Sequence, residues 1–117
     1  MRDEKIITSV MNKLIECGYQ LTCYVNGTML MVKKSKCEIK SAFIGEKALS
    51  FCAVTNTQSK NILDESTINY ENVSLESLDS ERAYVCDQKN KMRWSLEIGR
   101  KSAYGEIYTR RAWAWQR

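Results

Sequence analysis

The sequence predicts an α+β domain in which an N-terminal helix packs on a twisted, mainly antiparallel sheet of about six to eight strands. Three observations predict it. Apolar residues recur at helical spacing near the start, the period changes to two after Gly18, and alternation returns from Arg82 onward. The length of 117 residues fits a single domain spanning 1–117, since separate cores become usual only in much longer chains.

The helix is predicted over residues 3–17. Ile6, Ile7, Val10, Met11, Leu14 and Ile15 fall at the i, i+3, i+4, i+7 positions of one face. Asp3 is placed to cap its start, and Gly18 to close its end with a left-handed residue. Beyond it, Tyr19, Leu21, Cys23 and Val25 alternate with more polar neighbours, and Asn26-Gly27 is a hairpin turn because both positions accept positive φ. The return strand, Thr28 to about Lys34, is apolar on both faces at Met29-Leu30-Met31-Val32, so both its faces call for a cover. Cys37, Ile39, Ser41 and Phe43 alternate next. Gly45-Glu46-Lys47 turns the chain, and Leu49, Phe51 and Ala53 form the inward set of a fourth strand. Residues 19–55 therefore read as a four-stranded antiparallel meander.

Residues 56–81 are polar and acidic, an excursion between two strand-rich halves that is expected at one sheet edge. Ile68 and Tyr70 suggest a short strand, and Asn72 a cap for a brief helix carrying Leu75 and Leu78. Ala83 to Cys86 reads as a strand, Lys89-Asn90 as a turn, and Met92, Trp94, Leu96 and Ile98 as the alternate positions of another strand. Gly99 to Ser102 reads as a further turn. The final segment, from Ala103 towards Trp115, is expected to be a strand. A helix would set Trp113 and Trp115 about 200° apart, whereas a strand puts Ile107, Thr109, Arg111, Trp113 and Trp115 on one side.

Composition narrows the chemistry. Histidine is absent, which removes the usual general base near neutral pH and the commonest metal ligand. Cys17, Cys23, Cys37, Cys52 and Cys86 contain no C-x-x-C spacing, so neither a metal site nor any cofactor is expected. Phosphate-binding glycine motifs are missing too. The pair Asp64-Glu65 reads as a solvated surface. No catalytic residue is assigned, and the expected protein is not an enzyme. An odd cysteine count, no basic leader at the N-terminus and no long apolar run predict reduced thiols, a cytoplasmic location and no membrane span.

Charge is unevenly laid out. The net charges of residues 1–55, 56–81 and 82–117 are +3, −5 and +6. Two basic clusters stand out: Lys33, Lys34 and Lys36 with Lys40, and the C-terminal run containing Tyr108, Arg110, Arg111, Trp113 and Trp115. Arginine and tryptophan are the side chains most enriched at protein-interface hot spots. The expected function is a small accessory, inhibitor or immunity-type protein that binds an acidic protein surface through this C-terminal strand. Trp113 and Trp115 would anchor, and Arg110 and Arg111 would fork onto carboxylates. The alternative is a binder of single-stranded nucleic acid, with the same cations following phosphates and the rings stacking on bases. An exposed edge strand would also allow two copies to pair. Replacing Trp113 and Trp115 together by alanine is expected to abolish partner binding and leave circular dichroism and thermal unfolding unchanged; a double variant that unfolds would make both rings core.

Overall fold

A computed structural model describes residues 4–79 and 82–103. One helix, α1 (Glu4–Glu16), is followed by five strands, β1 (Gln20–Val25), β2 (Thr28–Lys34), β3 (Glu38–Ile44), β4 (Ala48–Thr55) and β5 (Ile62–Asn69). A short 3-10 turn at Tyr70–Asn72 leads into β6 (Val73–Asp79), β7 (Arg82–Asp87), β8 (Met92–Ser95) and β9 (Lys101–Ala103). The α+β class, the N-terminal helix and the antiparallel pairing are as expected. The nine described strands divide into two sheets, ordered β1-β2-β3-β4-β5 and β6-β7-β8-β9, rather than forming one.

α1 turns its Ile7, Val10 and Leu14 into the core. It closes on Gly18 at φ 97°, where Gly18 N–H bonds Ile15 O at 3.0 Å and Tyr19 N–H bonds Leu14 O at 2.9 Å. These are the paired bonds of a Schellman ending, and they satisfy carbonyls the helix would otherwise leave open. Tyr19 is thereby delivered into the core, where its hydroxyl donates to Leu96 O at 2.9 Å. Burial pushes that phenol well above its ordinary pKa. Asn26 and Gly27 both take positive φ, 52° and 79°, and close β1 onto β2 with Val25 opposite Thr28.

Met29 and Met31, Ala42 and Ile44, Leu49, Phe51 and Ala53, and Ile68 line the inner face of the five-stranded sheet. The second sheet covers it. Trp94, only 1% exposed, stacks on Phe51 with ring centroids 5.6 Å apart and planes 16° from parallel. Offset stacking of this kind adds to the area both rings bury. Val85, Ala83 and Leu96 complete the junction, and α1 runs against β6 beside them.

Several local expectations are corrected. No helix follows Asn72: the 3-10 turn ends there, and Leu75 and Leu78 belong to β6. The phenol of Tyr70 is buried and donates to Gly45 O, which anchors the chain where it leaves the first sheet for the second. The middle segment is thus no excursion but supplies an edge strand to each sheet. The strand predicted through Ile98 stops at Ser95, because Ser95 O accepts Gly99 N–H and Ser95 N–H bonds Arg100 O, closing a wide turn. Lys101 therefore begins β9 instead of lying in that turn. β1 also does not alternate in burial; all six of its residues are exposed. The strand predicted from Ala103 to Trp115 lies, after Ala103, outside the described residues, as does the Asp3 cap.

Trp94→Ala is expected to cost about 3–5 kcal/mol in urea unfolding, the usual loss for a buried ring. Trp94→Phe should cost clearly less. It keeps a ring on Phe51 and removes an indole N–H that is buried without an acceptor among the described residues.

Candidate interaction surface

One side of the five-stranded sheet is covered by the second sheet; the other forms a broad apolar face. The strand registers put its side chains in rows. Ile39, Val54 and Ile62 lie in one row beside Lys34. Val32, Ser41, Cys52 and Glu65 form the next, and Cys23, Leu30, Phe43, Ser50 and Thr67 the third. Leu30, Val32, Ile39, Cys52 and Val54 are half-buried by their neighbours, while Phe43 and Ile62 stand exposed. An apolar surface of this kind is uncommon on a sheet side with no described sheet or helix over it.

At one end of this face the β2–β3 and β4–β5 turns are tied together. Asn56 donates from its backbone to Cys37 O and from its side chain to Ser35 O, both at 2.8 Å. That junction brings Lys34, Lys36 and Lys60 to one end of the sheet, all exposed and without an ion pair among the described residues. No acidic residue lies in either turn. Lys60 was invisible to a reading that grouped lysines by sequence proximity, since 24 positions separate it from Lys36.

The expected site residues therefore separate. Lys34 and Lys36 edge the apolar face, but Lys33 points to the opposite side and pairs with Glu97 at 3.1 Å. Tyr108, Arg110, Arg111, Trp113 and Trp115 lie outside the described residues. Lys33 belongs to a charged seam that fastens the two sheets. Arg100 grips Glu38 with two hydrogen bonds of 3.0 Å, and Lys40 approaches the same carboxylate at 3.7 Å. The backbone N–H of Lys101 donates to Asp64 at 2.8 Å, and its ammonium donates to Glu65 O at 3.0 Å. Lys33 and Lys40 stand directly opposite on neighbouring strands, so Glu97 and Glu38 offset a like-charge contact. Asp64, expected to be solvated, is in fact a link in this seam.

Beside it lies an open polar cleft of about 390 Å³, lined by Glu65, Thr67, Asp87, Asn90 and Lys101 among others. Two of its charged groups, Asp87 and Lys101, are already engaged. Asp87 accepts from the backbone of Lys89 and Asn90 and from the Asn90 side chain, bracing the β7–β8 turn. Lys101 is committed to β5, as described above. The cleft thus reads as a by-product of bracing.

The cysteines also divide. Cys17 and Cys86 are buried, and burial raises both thiol pKa values, but Cys23 and Cys37 are exposed rather than packed. All five are unbridged. No helix among the described residues is long and apolar enough to cross a membrane. Compared with known proteins, the chain matches no family model, no curated sequence and no solved structure.

The seam makes a pH prediction. Hydrogen bonding to Arg100 holds the Glu38 carboxyl below its ordinary value of 4.5. A carboxylate favoured in the folded state stabilises it above the unfolded-state pKa, and loses that contribution as pH falls through the lowered value. Glu38→Gln is expected to cost about 1 kcal/mol at pH 7. The gap from wild type should shrink as urea titrations move below pH 4.5.

Proposed function

We propose that the chain is a non-enzymatic cytoplasmic interaction protein that docks an acidic-rimmed protein partner on the outer face of its five-stranded sheet. The observation that carries this reading is the apolar field around Val32, Ile39, Phe43 and Val54, bounded at one end by Lys34, Lys36 and Lys60. An interface needs an apolar centre that excludes water and a charged rim that orients the partner, and this face combines them. Cations at one end without acids among them select a partner acidic at the matching end. Tyr108, Arg110, Arg111, Trp113 and Trp115 are proposed to add to the same contact. Five unbridged thiols fit a reducing compartment.

Nucleic acid is the second reading, and the same three lysines favour it. Against it, Phe43 is the single aromatic residue on this face among the described strands, whereas binding to single strands relies on several stacking rings. The remaining side chains match a protein surface better than a row of bases.

The test uses two surface variants of the full chain, Phe43→Asp and the triple change Lys34→Glu, Lys36→Glu and Lys60→Glu. A protein captured from native cells should have an acidic surface and, once purified, bind each variant at least about tenfold more weakly than wild type. Phe43→Asp should act mainly on dissociation, and the triple variant on association and its salt dependence. Oligonucleotide anisotropy at about 50 mM salt should stay flat. Partners retained by both variants, or a salt-sensitive oligonucleotide signal, would reject the proposal.

A further inference from the structure

The two sheets present four edges among the described strands, and three are guarded. β5 carries Asp64 and Glu65, and the Lys101 ammonium covers one of its backbone carbonyls. β6 bears Glu76 and contacts α1. β9, described over Lys101–Ala103, carries a lysine that is tied to β5 by its backbone N–H and its ammonium. Charge and cover are usual means of keeping an unpaired ladder from recruiting another chain.

β1 differs. Its sequence, Gln20-Leu21-Thr22-Cys23-Tyr24-Val25, holds no charge and no proline. Leu21, Tyr24 and Val25 are 54%, 63% and 54% exposed, and no described strand pairs with its outer side. A single bulge between Leu21 and Cys23 is its one irregularity. We infer that β1 pairs antiparallel with β1 of a second copy of this chain, joining two five-stranded sheets across a twofold axis.

The bulge argues for this pairing rather than against it. Leu21 lies opposite Met31 and Tyr24 opposite Met29, so both lean towards the inner side of the sheet. Gln20, Cys23 and Val25 lie opposite Val32, Leu30 and Thr28 on the outer side. A twofold axis normal to the sheet keeps inner sides together, so inner residues must meet inner residues. Setting Leu21 of one copy against Tyr24 of the other does so, and it automatically sets Gln20 against Val25. All six residues are then used, and the bulged Thr22 faces Cys23 near the axis. Without the bulge, Leu21 and Tyr24 would fall on opposite sides, and this register would mismatch every pair. An uncharged strand also brings no like-charge contact across the axis in this register.

Sedimentation velocity of the full chain under reducing conditions, from about 1 to 100 µM, should show a reversible monomer–dimer equilibrium. The double variant Leu21→Lys/Tyr24→Lys should weaken it at least about tenfold, with unchanged circular dichroism, because both side chains are exposed. Val25→Glu, on the other side of the strand, should do the same and serves if the double variant misfolds. A chain monomeric throughout this range would overturn the inference, and so would a dimer indifferent to both variants. Slow hydrogen exchange of the β1 amides in a monomer would overturn it too, by placing the chain's own residues 104–117 on the edge. A dimer broken by Phe43→Asp but not by the β1 variants would do likewise, by moving the contact to the sheet face.

Discussion

The stack of Trp94 on Phe51 is the constraint on which the remaining architecture rests. Neither sheet can stand alone. The first has an inner face of methionine, isoleucine, leucine and phenylalanine that must leave water, and the second turns Ala83, Val85 and Trp94 towards it. A single large ring from β8 fills the space between them, with Val85, Ala83 and Leu96 packed around it. Once Trp94 is seated, the wide turn after Ser95 is held over the far end of the first sheet. Glu97 and Arg100 then meet Lys33 and Glu38, and α1 closes the remaining side with Ile7, Val10 and Leu14. The apolar contact supplies most of the driving force, and the polar seam fixes the register of one sheet on the other.

This arrangement explains the uneven charge along the chain. The acidic middle segment provides one edge strand to each sheet, and two of its acids meet basic residues that follow. Asp64 approaches Lys101, and Glu76 holds Arg93, which also lies 4.0 Å above the Tyr84 ring. Asp64 and Glu76 thus act as counter-charges within the fold. Lys33, Lys40, Arg100 and Lys101 are engaged inside the fold, whereas Lys34, Lys36 and Lys60 stand exposed at the border of an apolar face that the second sheet does not reach.

Much of this was legible from residue patterns. The helix, its glycine ending, the Asn26-Gly27 turn and the four-stranded meander each depend on near neighbours, and local periodicity reports near neighbours faithfully. The readings that failed involved distant partners. Asn72 resembled a helix cap, but Tyr70 had already been captured by Gly45, 25 positions away. Ile98 continued an alternating pattern, yet the chain turned early to bring Arg100 onto Glu38, 62 positions away. The candidate surface was only partly visible for the same reason: Lys34 and Lys36 sit together in sequence, whereas Lys60 joins them through a bridge between two turns.

By itself the sequence determined the N-terminal helix, the α+β class and the meander of the first four strands, because hydrophobic period and turn chemistry are properties of short stretches. Tertiary structure alone decided that the strands divide into two sheets and that Lys33 is spent on Glu97. It also decided that β1, whose alternation resembled a half-buried strand, lies fully exposed at an edge. Each of these depends on which surfaces meet across the fold, and no window of adjacent residues contains that information.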